Sequence, residues 1–154
     1  MRSLIFLFIV VLAGCANINS GIKAPPNSFR FGDLIEVPGA SKEYLYNLTM
    51  IHLAKTYVSS SSVIQYASQE HGRIIGRARM SVTVHDGLVS TLSSYSHSID
   101  IEVVDGKVRY YYDDFSLYRP AMYVNELLAI KEKVDDLKIE MRRAILSPSA
   151  PLQP

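Results

Sequence analysis

Two segments of alternating apolar and polar residues do most to limit what this chain can fold into. In residues 73–84, "RIIGRARMSVTV", apolar or small residues occupy every second position. Residues 95–104, "YSHSIDIEVV", repeat this pattern. Because successive side chains of a strand point to opposite faces, a period of two predicts antiparallel strands with one buried face and one wet face.

Turn signals place further strands on either side of these two. Asp105-Gly106 predicts a type I′ turn, followed by a returning strand at 107–114. Residues 62–68 read as a short strand, and 69–72, "QEHG", as a hairpin turn in which Gly72 takes a positive φ. Residues 85–94 are expected to form a turn or a longer loop.

Two segments have helical periodicity. Ser41 is the expected N-cap of a helix over 41–60, and Pro120 fits the first turn of a helix over 119–146. The apolar face of the first helix is expected to comprise Leu45, Leu48, Ile51, Ala54 and Val58. The stripe of the second is Leu127, Ile130, Val134, Leu137, Met141 and Ala144. That stripe could form a coiled-coil seam, but its short length favours packing on the sheet.

The elements give the order β-α-β-β-β-β-α, with the first strand in 29–39 and room for a bulge at Gly32-Asp33. We therefore predict an α+β domain over residues 29–146, a curved antiparallel sheet with two helices on one face. Gly76 and Ala78 suggest that a helix packs closely on the strand there. Residues 147–154 are expected to be a disordered tail.

The first 28 residues have a different character. A positive residue, Arg2, precedes the apolar run 4–12, "LIFLFIVVL", which is too short to cross a bilayer as a helix. This pattern is typical of a secretion signal. The run ends in Leu12, Ala13 and Gly14, followed by the single cysteine of the chain, Cys15.

These four residues resemble the bacterial lipobox. The resemblance implies that the thiol of Cys15 receives a diacylglyceryl group, that residues 1–14 are removed as a signal peptide, and that the new amino terminus is acylated. Residues 15–28 would then be the lipidated cysteine and a flexible linker, since they are polar and contain Pro25-Pro26. Ala16 stands where an aspartate would resemble an inner-membrane retention signal, so we expect the outer membrane, facing the periplasm or the cell surface.

Composition and motifs argue against several classes of function. Lys plus Arg number 16 and Asp plus Glu number 15, so the chain has no electrostatic reason to bind nucleic acid. The four histidines have no metal-binding spacing, and no nucleophile elbow or phosphate loop is present. We expect no metal, no cofactor and no enzymatic activity.

Three phrases resemble a family of secreted bacterial domains of unknown function with a fold like that of the TATA-binding protein (TBP). They are "VPGASKEYLYN", "SVIQYASQEHGRIIGRARMSV" and "SHSIDIEVVDGKVRYYYDDF", and the resemblance covers roughly residues 31–120. It implies the same β-α-β4-α order. A TBP-like fold does not by itself imply DNA binding.

The open face of the predicted sheet is the candidate interaction face. Arg77, Arg79, Arg109 and Tyr111 are expected to lie there, with Asp100 and Glu102 on the neighbouring strand balancing Arg77 and Arg79. The favoured function is a non-catalytic interaction or accessory module that is held on the membrane by Cys15 and binds an envelope protein. The long C-terminal helix could also join two copies. The alternative is a carrier of a small ligand or lipid in a cavity between helices and sheet.

Overall fold

The computed structural model describes residues 23–24, 29–57, 63–116 and 123–147. The predicted signal peptide, Cys15 and residues 148–154 lie outside the described residues. Within the described part, five strands and two helices follow one another. They are β1 (Phe31–Glu36), α1 (Lys42–Thr56), β2 (Ile64–Ser68), β3 (Arg73–Asp86), β4 (Val89–Val104), β5 (Lys107–Ser116) and α2 (Val124–Leu146).

The strands form one antiparallel sheet in the order β1-β5-β4-β3-β2. Helix α1 packs against β4, β5 and α2, and α2 packs against β3 and β1. Both helices therefore lie on the same face, which we call the inner face. The predicted α+β class and the order β-α-β-β-β-β-α are confirmed.

The inner face holds the core. Every apolar or small residue that alternation assigned inward on 73–84 is buried, as is every inward residue on 95–104. From α2, Ile130, Val134 and Met141 are each 0% exposed. The stripe of α2 thus seats on the sheet, as predicted. Leu127 and Ala144 are only half-buried, and Glu126 and Ile145 are buried in addition.

The predicted face of α1 was wrong in part. The helix begins after Ser41, whose Oγ accepts from the Tyr44 N–H at 3.2 Å, as expected of an N-cap. Ala54 is exposed, whereas Thr49, His52 and Leu53 are buried beside Leu45 and Leu48. Thr49 can be buried because its hydroxyl donates to the Leu45 carbonyl at 2.8 Å.

One predicted turn is shorter than the segment expected for it, and another is of a different type. Residues 85–94 form no long loop; β3 and β4 stay paired up to Asp86 and Val89, so Gly87 and Leu88 alone make the turn. Gly87 has φ +61°, as a type II′ hairpin requires at its first loop position. At the Asp105-Gly106 turn only Gly106 has positive φ, so it is not the predicted type I′ turn.

Local irregularities lie elsewhere than expected. β1 pairs with β5 without interruption, so there is no bulge at Gly32-Asp33. The register shifts fall within β2 and between β4 and β5. At Gly76 the close neighbour is the carbonyl oxygen of Val63, a helical residue just before β2, which would lie 3.0 Å from an added Cβ. Pro120 lies outside the described residues.

Candidate interaction surface

The outer face of the sheet carries all four residues of the predicted interaction face. Arg77 and Arg79 are successive outward positions on β3, and Arg109 and Tyr111 are successive outward positions on β5. Strand β4 separates the two pairs. The fold therefore places these residues on one face, but in two groups rather than in one cluster.

Most positive charge on this face is neutralised by neighbours. Arg77 Nη1 donates to Asp114 Oδ2 at 2.8 Å, and Arg109 Nη1 lies 3.6 Å from Glu102 Oε2. Arg73 forms an ion pair with Asp100, and its Nη2 lies 2.6 Å from the Asp100 Oδ2. The predicted pairing of Arg77 and Arg79 with Asp100 and Glu102 was wrong. The reason is register.

Strand register places Asp100 opposite Ile75, and Glu102 between Arg73 and Arg109. Asp114 reaches Arg77 because β4 and β5 shift register next to it, where Asp114 itself has φ +50°. A non-glycine residue with positive φ at a bulge cannot be foreseen from alternation.

Tyr111 is held flat on the sheet. The Arg30 guanidinium lies 4.5 Å from the centre of its ring, a cation–π contact. Its ring also lies against Gly32 of β1, where any Cβ would overlap it. A glycine inside a strand is the sequence signal for such a close approach, although sequence reasoning took Gly32 for a bulge.

Arg79 is the available cation of the predicted set. It is exposed, and no carboxylate in the described residues lies within salt-bridge distance of it. Its cross-strand partner is Ser96. An exposed guanidinium without a partner carboxylate retains its full capacity for bidentate hydrogen bonding.

Sequence reasoning missed a projecting arm of the sheet. Strand β5 makes its last pair with β4 at Ser96, and β2 makes its last pair with β3 at Gly76. Residues 81–94, which we call the arm, therefore continue as a two-stranded ribbon. At its tip Leu88 is 106% exposed, Val89 63% and Leu92 73%.

The start of α2 braces this arm. The buried Glu126 accepts a hydrogen bond from the Tyr95 hydroxyl at 2.8 Å and one from the Tyr123 N–H at 2.8 Å. Asn125 Nδ2 donates to the His85 carbonyl at 3.4 Å. Helix α2 therefore holds the arm at its base through Glu126 and close to its turn through Asn125, while Leu88, Val89 and Leu92 remain exposed.

His97 is a fully buried ionisable group on the inner face. It is 0% exposed and stacks on Phe115 at 5.5 Å between ring centres. Its Nε2 lies 3.4 Å from the Tyr57 hydroxyl, and its Nδ1 has no hydrogen-bond partner in the described part of the chain. Burial, aided by the nearby Arg77 charge, lowers the pKa of His97 to about 4. The ring is therefore neutral at physiological pH.

Comparisons with known proteins identify the family. The model of the domain of unknown function DUF4468, described as having a TBP-like fold, matches residues 31–118. The chain belongs to the DUF4468 family. No curated protein matches the sequence. The resemblance found from three sequence phrases is thus confirmed at the level of the family.

Solved structures extend this result to the fold. A DUF4468 family protein from Bacteroides ovatus ATCC 8483 is similar with a TM-score of 0.64 at 11% identity, covering 88% of this chain and 96% of that one. A TBP-like protein from Parabacteroides distasonis ATCC 8503 has the same TM-score at 13% identity, with coverages of 81% and 97%. At such identities these likenesses show the TBP-like fold of the DUF4468 domain and no function.

Two further observations bear on the site. Among the described residues, no three His, Cys, Asp or Glu side chains come close enough together to hold a metal ion. None of the described helices is both long and apolar enough to span a membrane.

Proposed function

We propose that this DUF4468 domain is a non-catalytic accessory module of the bacterial cell envelope, held on a membrane by lipid on Cys15, which binds an envelope protein through the outer face of its sheet. The observation that carries the proposal is the one-sided packing of the fold. Both described helices cover the inner face, while the outer face keeps an exposed arginine without a carboxylate partner, Arg79. Arginine is among the residues that most often dominate binding energy at interfaces.

The outer face has the mixed character of a protein-binding surface. Beside the ion pairs of its arginines it carries apolar area on the edge strands, where Tyr66 is 46% exposed and Leu34 38%. Tyr111 adds a rigid ring that is already ordered by Arg30 and Gly32, so little side-chain entropy is lost when a partner contacts it. A partner with a carboxylate opposite Arg79 and an apolar surface beside it would fit this face.

The membrane anchor rests on the sequence. Leu12, Ala13, Gly14 and Cys15 match the lipobox at every position, and a positive start and an apolar run precede them. One acyl chain binds a membrane only reversibly, whereas several chains on one cysteine make a durable anchor. Ala16 after the cysteine favours the outer membrane.

Photocrosslinking in the native membrane tests the proposal. One variant carries a photoreactive residue in place of Arg79 on the outer face. The control carries it in place of Ile139, which is 56% exposed on α2. Arg79 is preferred to Tyr111 as the probe position because Tyr111 is packed against Gly32.

A discrete product between position 79 and one envelope protein supports the proposal and names the partner. A product of two copies of this chain from position 139 alone would replace it with a dimer formed through α2. Irradiation that gives no product at position 79 contradicts it.

A further inference from the structure

The arm carries apolar side chains that the interaction face does not use. We propose that Leu88, Val89 and Leu92 at its tip enter the surface of the lipid bilayer to which Cys15 is attached, so that the domain makes a second contact with its membrane. The inference rests on the lipid anchor of the proposed function. It adds a membrane-binding site in the folded domain and an orientation on the bilayer.

The composition of the arm suits a lipid surface. Between Arg79 and Asp100 the one formal charge, counting histidine as neutral, is that of Asp86. The three apolar side chains at the tip are 63% to 106% exposed. Exposed apolar area of this kind is unfavourable in water and is stabilised when it leaves water. The scarcity of charge means that little desolvation of ions opposes its entry into lipid.

The arrangement of these side chains favours a fluid surface over a protein partner. Leu88 lies in the turn itself. Val89 and Leu92 are three positions apart on β4, so they project from opposite faces of the ribbon. A protein interface formed on one face of the ribbon would bury Val89 or Leu92 but not both. Lipid can surround the tip and contact all three side chains.

The path of the chain brings the anchor to the same end of the domain. Lys23, the first described residue, forms a β-bridge with Tyr123 at the start of α2. Two residues further on, Asn125 bonds to the His85 carbonyl, just before the turn of the arm. The chain therefore enters the described domain beside the arm.

The chain between the anchor and this point is short. Residues 16–22 separate Cys15 from Lys23, and eight extended Cα–Cα steps reach at most about 29 Å. An anchor at Cys15 thus holds this end of the arm close to the bilayer, with the arm at the membrane-facing end of the domain. The outer face of the sheet would then lie roughly perpendicular to the bilayer surface, where a neighbouring protein on the same membrane can reach it.

The depth of entry is limited by the backbone. A two-stranded ribbon leaves edge N–H and C=O groups unpaired, and these are costly to bury in hydrocarbon. The tip is therefore confined to the interfacial layer, the outer roughly 5–10 Å where apolar side chains reach the acyl chains.

Two matched single-cysteine variants test the inference in the full lipidated chain. Val89→Cys places a thiol at the tip, and Val104→Cys places one at the other end of the same strand, where Val104 is 45% exposed. The two positions are separated by roughly 50 Å at about 3.3 Å per residue. Lipid on Cys15 blocks the native thiol, so an environment-sensitive fluorophore labels position 89 or 104 alone. Each labelled protein is reconstituted into phospholipid vesicles with and without quencher-bearing lipids.

The expected result is a blue-shifted emission at position 89 that lipid-borne quenchers reduce, with an aqueous, unquenched emission at position 104. Aqueous emission at both positions overturns the inference and leaves the proposed function intact. A blue shift at position 89 that lipid quenchers do not reduce also overturns it, because the tip is then covered by protein. The intact mass of each labelled chain shows whether Cys15 carries lipid; a chain without lipid overturns the proposed anchor and the inference that rests on it.

Discussion

The burial of His97 leads us to predict that the folded protein loses stability in acid, by an amount that follows from the structure. Its ring is 0% exposed, and its pKa in the folded protein is about 4, against 6.5 for a free histidine. Above pH 6.5 the ring is neutral in the folded and the unfolded chain, so it makes no pH-dependent contribution. As the pH falls from 6.5 to 4, the unfolded chain binds a proton at His97 that the folded chain does not bind, so the free energy of unfolding decreases.

The size of this loss follows from the difference between the two pKa values. Each pKa unit corresponds to about 1.4 kcal/mol, so complete passage from pH 6.5 to pH 4 removes roughly 3 kcal/mol. Below pH 4 the residue removes nothing further. His52 acts in the same direction because burial lowers its pKa too. The contribution of His97 is therefore measured by comparing how much free energy of unfolding the wild-type protein and a His97 variant lose as the pH falls.

The assay is urea unfolding followed by circular dichroism from pH 7.5 to 4, on a chain that begins at Lys23. His97→Phe keeps an aromatic ring against Phe115, and His97→Gln keeps a polar side chain; both should lose roughly 3 kcal/mol less than wild type across this range. His85→Gln on the exposed arm controls for the removal of a histidine as such. The reasoning is refuted if both His97 variants lose stability with the same slope as the wild-type protein.

Two further predictions concern single contacts. Gly72→Ala should lower the free energy of unfolding by about 2 kcal/mol or more, because φ is +62° and the new Cβ would overlap the Val103 carbonyl. Gly87→Ala has a similar φ of +61° but its Cβ would enter open space, so it should cost about 1 kcal/mol. Equal losses of the two variants in urea unfolding would argue against this. Tyr95→Phe removes the hydroxyl that donates to the buried Glu126 carboxylate and should cost about 1.5–3 kcal/mol; an unchanged unfolding midpoint would count against that role.

The sheet could be predicted because apolar and polar residues alternate along a strand when one of its faces is buried and the other is exposed. On residues 73–84 and 95–104 one side faces the helices and the other faces water, so the period of two is plain. The arm was missed for the same physical reason. In its second strand, residues 89–94 are exposed or half-exposed on both faces, so no apolar and polar alternation marks them as a strand.

The sequence was sufficient to predict which face of the sheet carries the candidate site, but not which carboxylate pairs with which arginine. Alternation assigns Arg77 and Arg79 to the outer face correctly. Which carboxylate meets which arginine depends on register, and the register of β5 shifts next to Asp114. The burial of His52 likewise depends on how α1 turns against α2, which the helical pattern of apolar residues did not determine.

Both proposals depend on lipid at Cys15, so the most direct measurement is the intact mass of the mature protein recovered from the membrane fraction, with Cys15→Ala as the control. We predict a chain that starts at residue 15 and carries a diacylglyceryl group and an additional acyl chain, and we predict that the variant leaves the membrane fraction. A mature chain of unmodified mass, or a variant that stays on the membrane as the native chain does, would contradict the account.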